Sequence, residues 1–133
     1  MLPSAESRSV LVVNRFEVPD DIAKTFRDDA KAALNALSER TGFVRGRFGG
    51  SLDEPNQAVL VTEWESVGAY RRALSAYDVK MYATPLLARA LPEASAFEVN
   101  LAAEEGEIVE VASDRAPGIG PRDRETDEPT DAR

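Results

Sequence analysis

The sequence predicts an α+β fold built on one antiparallel sheet, and three features carry that prediction. Apolar patterning changes period along the chain: 9–18, 43–52, 57–63 and 96–102 read as strands, while 20–41 and 66–76 recur at helical spacing. The two middle strands are separated by Asp53-Glu54-Pro55-Asn56, whose turn chemistry makes them a hairpin. The chain has 133 residues, enough for one core without staples. The resulting order, β-α-β-β-α-β, is ferredoxin-like.

The first strand, Ser9 to Val18, opens with Val10, Leu11, Val12 and Val13, a run that implies burial on both faces at that end. Further on, Val12, Asn14, Phe16 and Val18 share one face, and Val13, Arg15 and Glu17 the other. Pro19-Asp20-Asp21 opens a helix with acidic residues near its positive end. Ile22, Phe26, Ala30, Ala33, Leu34 and Leu37 form its apolar stripe, and Gly42 stops it. The second strand, Phe43 to Leu52, carries Gly46 and Gly49-Gly50, which suggest a bulge or a close approach by another backbone or a ligand. The third, Gln57 to Glu63, is rich enough in apolar residues to suit burial on both faces.

Ser66 is a good N-cap for a second helix running to about Ala76. A less regular stretch through Tyr77, Asp78 and Tyr82 follows, then a short helix from Pro85 that ends before Pro92. Ala96 to Ala102 alternates Phe97, Val99 and Leu101 against Glu98 and Asn100 as a final strand. Glu107 to Val111 adds a short strand, against a partner subunit or otherwise. Residues 9–112 make the domain, 1–8 a flexible N-terminus. From Ser113 the composition turns to Asp, Glu, Arg, Pro and Gly, which predicts a disordered tail.

Composition narrows function. The net charge of −8 argues against nucleic acid and anionic membranes. No apolar run reaches the ~20 residues that span a bilayer, and the N-terminus lacks a signal pattern, so the location expected is cytoplasmic. Cysteine and histidine are both absent. That removes disulfides, Ser-His and Cys-His triads, and the usual ligands of zinc and copper, and leaves a carboxylate-only site open, although no Asp/Glu cluster stands out. Helices on one face of the sheet leave the other wet unless a second copy covers it, so a homodimer is expected.

The most informative segment is Trp64-Glu65-Ser66-Val67-Gly68-Ala69-Tyr70-Arg71, where the period passes from two to 3.6 just after the only tryptophan. Trp64 can serve simply as a core plug, with Tyr70 packed on the first helical turn. The pattern Trp-Glu-Ser-x-x-Ala-Tyr-Arg resembles the antibiotic biosynthesis monooxygenase superfamily, and the order of elements follows that family over roughly residues 9 to 102. The resemblance implies a ferredoxin-like fold that pairs into a dimeric α/β barrel, without by itself fixing one reaction.

Two branches of that family are relevant. Heme-degrading members are similar at Asn14, but the tryptophan and heme-ligating histidine they use fall near Ala73 and Ala83 here. Tyr77 or Tyr82 would have to ligate the iron instead. The other branch oxidises polycyclic phenols or anthrones with O2 and neither metal nor flavin, and is similar at Trp64 and Tyr70. Likeness to it implies a site with neither metal nor cofactor, in which Asn14 and Trp64 hydrogen-bond substrate oxygens while Tyr70 assists proton transfer. The asparagine those oxygenases carry four residues before the tryptophan is Leu60 here, a departure from the pattern.

Asn14 is also the best polar candidate on pattern alone, since asparagine is depleted in strands and its face is otherwise apolar. Phe16, Tyr77, Tyr82 and Arg89 are candidates to line a pocket for a small aromatic substrate. The competing expectation is a non-catalytic ligand-binding or interaction module. A closed polar cavity between helices and sheet near Asn14 would favour the oxygenase; a space filled by Phe16, Phe26, Phe48 and Tyr70 would favour the module.

Overall fold

The computed structural model describes residues 9–111. Strand β1 (Val10–Glu17) leads through a 3-10 turn (Asp20–Ile22) into α1 (Ala23–Ser38). The hairpin β2 (Phe43–Gly50) and β3 (Gln57–Trp64) follows, then α2 (Val67–Leu74), α3 (Tyr77–Tyr82), α4 (Thr84–Leu87) and β4 (Ala96–Glu98). A separate two-stranded hairpin, β5 (Leu101–Glu104) and β6 (Glu107–Glu110), completes the described chain. The main sheet runs β2-β3-β1-β4 with every neighbour antiparallel, the ferredoxin-like topology that the element order predicts. The expected flexible N-terminus and disordered tail lie outside the described residues.

The helices lie on one face of the sheet. Cross-strand rows on that face run Phe43–Trp64–Val10, Gly46–Thr62–Val12 and Phe48–Leu60–Asn14, since paired residues project to the same side. Val10, Val12, Phe16, Leu60 and Trp64 are buried there against Phe26, Ala30, Ala33 and Leu37 of α1. Small side chains on α1 let the helix approach the sheet, and Phe26 then fills the wider gap. Its ring meets Phe16 edge-on at 5.0 Å and stacks on Phe48 at 6.0 Å. Val79 of α3 and Leu86 of α4 close the core from the other helices.

Local chemistry explains the junctions. The Ser66 hydroxyl accepts a hydrogen bond from the Ala69 amide at 3.0 Å, the expected N-cap of α2. Gly42 ends the turn after α1 at φ +92°, and an added Cβ there would overlap that of Ala69. Its carbonyl accepts from the Glu65 amide at 2.8 Å, which ties the end of β3 to the start of β2.

Four sequence expectations need correction. The register break in β2 falls between Phe43 and Arg45, not at a glycine. Gly46 instead marks a close approach by a side chain: a Cβ there would lie 2.7 Å from Leu34 Cδ2. The stretch from Tyr77 to Tyr82 is a helix, held by Val79, which is fully enclosed. The strand expected over 96–102 is divided, because β4 stops at Glu98 and Leu101 begins the separate hairpin, turned at Glu105 and Gly106 with positive φ. Finally, neither β1 nor β3 is buried on both faces within the chain. Leu11, Val13, Val59 and Val61 point away from the helices and are only half-buried.

If Phe26 is the ring that bridges sheet and helix, Phe26→Ala should destabilise the fold by about 3–5 kcal/mol through lost burial and a residual cavity. Urea unfolding checks this; a loss under about 1 kcal/mol would mean that the interlayer repacks without it.

Candidate functional site

Trp64 is fully enclosed at the end of β3. Its indole N–H donates to the Thr62 hydroxyl at 3.0 Å, a partner two residues back on the same face of the strand. Its ring packs edge-on against Phe43 at 5.2 Å and tilted against Tyr70 at 5.8 Å. The structure therefore brings Trp64 and Tyr70 together, as the spacing of six residues across a strand-to-helix turn allows. Tyr70 is half-buried, and desolvation pushes its phenol above the ordinary tyrosine value.

Asn14 stands apart from that pair. It occupies the helix-facing side of β1, four residues along from Val10, the strand partner of Trp64, or about 13 Å away along the sheet. Directly across from it is Leu60. Among the described residues the Asn14 side-chain amide has no hydrogen-bond partner, although the residue is half-buried. Phe16 is completely enclosed and lies with Phe26. Arg89 sits over the Phe26 ring at 4.6 Å and reaches Asp29 at 3.5 Å.

Tyr77 is 72 % exposed and Tyr82 56 % exposed. Tyr82 lines two shallow grooves over the helices. One, of about 400 Å³, includes Asn35, Glu39 and Asp78; the other, of about 230 Å³, includes Asp29, Met81 and Arg89. Ala73 and Ala83, at the positions where heme-degrading relatives are expected to carry their tryptophan and histidine, are buried in the core and present no ligand atom. Among the described residues no group of three His, Cys, Asp or Glu side chains is gathered to hold a metal ion.

The larger opening is one that the sequence reading did not single out. A cleft of about 590 Å³ lies between α1 and β2, within the size range of small-molecule sites. Its apolar side is Leu34, Phe43 and Phe48, with Gly46 between the two rings in the strand. Its polar side is Arg27, Lys31, Asn35 and Ser38 on α1, with Asp28 and Arg47 at the rim. Positions 27, 31, 34 and 38 repeat at helical spacing, the signal from which this second face of α1 was legible. Phe43 and Phe48 belong to the rows of Trp64 and Asn14, so the cleft is one strand (about 5 Å) from β3 and two (about 10 Å) from β1. Phe43 joins the two regions, since its ring both lines the cleft and touches Trp64.

Comparison with known proteins bears on the fold and the family. The chain is similar to the crystal structure of SnoaB, a cofactor-independent oxygenase from Streptomyces nogalater, at 29% identity. The match covers 69% of this chain and 93% of that one with a TM-score of 0.59, or 0.60 for an asparagine-to-alanine mutant of the same protein. A conserved protein from Methanosarcina mazei Go1 has the same fold at 17% identity, with 69% and 93% covered and a TM-score of 0.58. No curated protein matches. The family model for antibiotic biosynthesis monooxygenase matches residues 9–84, more than half of the 133, and the chain belongs to that family.

Proposed function

We propose that this protein is a cofactor-independent oxygenase of a small, electron-rich aromatic molecule such as an anthrone or polycyclic phenol, acting as a homodimer. The observation that carries the reading is the junction at Phe43, where an open aromatic-walled cleft meets the enclosed Trp64–Tyr70 pair, in a chain of this family. The substrate ring lies along Phe43, Phe48 and Leu34. Ionised, it reduces O2 itself: a ring methylene becomes a carbonyl, the two oxygen atoms of O2 end in that carbonyl and in water, and the four electrons come from the substrate. The protein has to position the ring and stabilise charge, which requires neither histidine nor cysteine.

Within this reading Tyr70 is a proton donor or hydrogen-bonding group and not a base, because its phenol is held above the ordinary value near 10. Trp64 acts by packing, its N–H being engaged by Thr62. Asn14, with an amide free among the described residues, is the polar anchor deeper in the same row as Phe48.

The alternative, a non-catalytic binding module, draws support from the filled interlayer. Phe16, Phe26 and Phe48 occupy the space beside Asn14 in which an enclosed polar cavity would favour catalysis. Oxygen uptake with anthrones, quinols and dihydroxynaphthalenes, no cofactor added, separates the two. The oxygenase reading expects protein-dependent uptake that falls at least about tenfold in Asn14→Ala and in Tyr70→Phe. Uptake equal to the protein-free blank across the panel would leave the binding module.

The dimer rests on the outer face of the sheet. Leu11, Val13, Val59 and Val61 lie there with Phe97, which is 48 % exposed and paired with Leu11. Ion pairs flank them, Arg15 with Glu93 at 2.7 Å on one side and Arg45 with Glu63 on the other. An apolar strip bordered by both signs of charge suits a second copy of itself. Light scattering should give a dimer for the wild type and a folded monomer for Val61→Asp; a monomeric wild type removes this part of the proposal.

Tyr70 also makes a pH prediction. Its folded value is raised, so its contribution to stability is fully present below the unfolded value near 10 and is lost as pH rises through the folded value. Melting temperatures should therefore fall less from about pH 9 to about pH 11 in Tyr70→Phe than in the wild type. Parallel losses would mean that the phenol titrates as it does in the unfolded chain.

A further inference from the structure

The cleft's charge is the feature that the proposed function leaves unused. The chain has 24 acidic and 16 basic residues, yet around this opening three cations, Arg27, Lys31 and Arg47, stand against the single carboxylate of Asp28. Asp28 is itself drawn toward Lys24 at 3.5 Å. Among the described residues none of the three cations is in an ion pair, whereas Arg15, Arg45 and Arg89 each are. Arg27 and Lys31 are one turn apart on α1 and face the same side. Arg47 adds a third charge only at the rim: it starts in the row of Val61 on the other face of the edge strand β2, and one of its guanidinium nitrogens lies on the Gly46 carbonyl at 3.3 Å. Cations gathered over an apolar wall, in a protein whose overall field is negative, form a local site for an anion that also carries a ring.

We propose that the α1–β2 cleft binds a phenol in its ionised form, the phenolate oxygen facing Arg27 and Lys31, with Arg47 at the rim, and the ring lying on Phe43 and Phe48. This rests on reading the cleft as the substrate site and deepens it, because it supplies what the chain otherwise lacks. With no histidine or cysteine, and with burial raising the Tyr70 phenol, the one base lining the cleft is the Asp28 carboxylate, which sits at the rim beside Lys24. Nearby positive charge removes the need for a base. It lowers the pKa of the bound phenol, so the proton leaves to water on binding and the electron-rich phenolate is what meets O2. Three cations outweigh Asp28, the one acid lining the cleft, which opposes the shift.

The test reads the ligand and needs no turnover. 4-Nitrophenol, whose phenolate absorbs in the visible, is titrated with pH in the presence of saturating wild-type protein, Arg27→Gln/Lys31→Gln, and Arg71→Gln as a control on exposed α2 outside the cleft. The expected result is an apparent pKa of the bound probe at least about one unit below the free value in the wild type and in Arg71→Gln. In the double variant it returns close to the free value, and affinity for the phenolate drops about tenfold. The wild-type shift should shrink as salt rises from about 0.01 to about 1 M, over which the Debye length falls from about 30 to about 3 Å. A bound probe that titrates like the free one, a shift that survives the double substitution, or no binding of the phenolate would each overturn the proposal. Oxygen uptake separates it from the activity: a shifted pKa with no uptake on any phenol leaves an anion-binding module, and uptake with an unshifted probe refutes the phenolate site alone.

Discussion

Aromatic rings filling the space between one four-stranded sheet and the helices on one side of it set what this molecule can offer a ligand. Phe16, Phe26 and Phe48 occupy one end of that layer, and Trp64 with Phe43 and Tyr70 the other. Burial of this size dominates the stability of a small domain, and little of it can be given up without unfolding. On the proposed function, a ligand therefore meets the protein where the layer opens, at the margin between α1 and the edge strand β2. Gly46 contributes to that geometry: with no Cβ it lets Leu34 lean onto the strand between the rings of Phe43 and Phe48.

The same packing decides which polar groups remain available. The Trp64 N–H is engaged by Thr62, so a group that looks like a ligand donor in the sequence is internally satisfied in the fold. Asn14 is the opposite case. It faces Leu60 across the β1–β3 pair, at the usual Cβ separation of about 4.5–5.5 Å. Leu60 is where the resembled oxygenases are expected to carry their asparagine, and here the amide stands on the neighbouring strand, in the same row and on the same face.

Much of the fold was legible because its signals are periodic. The stripe from Ile22 to Leu37, the Ser66 cap, the hairpin turn at 53–56 and the change of period at Trp64 each have a local cause, and the ferredoxin-like order follows from them. Burial on both faces of β1 was misread because a continuous apolar run does not say whether the second cover comes from the same chain. The helix at Tyr77–Tyr82 was missed because six residues leave too short a period, and Val79 alone fixes it by packing. For the site, the pairing of Trp64 with Tyr70 was readable from spacing. The α1–β2 cleft was not, because the repeat of 27, 31, 34 and 38 marks a face of α1 but does not say that β2 lies beside it. Arg27, Lys31 and Ser38 look like ordinary solvated positions until the strand with Phe43 and Phe48 is laid beside them.

The absence of histidine and cysteine, joined to that geometry, constrains the chemistry more than any single residue does. An enzyme that must move a proton with a protein base would need a group titrating near neutrality, and this chain has no such side chain with a suitable unperturbed value. Burial takes Tyr70 further from that range. The proposed route needs no such group: it makes the substrate itself the stronger acid, and fixed positive charge does that without any group on the protein changing protonation. A net charge of −8 then works in favour of selectivity. Anions are repelled from most of the surface, and under the proposal the α1–β2 cleft, with cations beside aromatic rings, is the place where an anionic ring is stable.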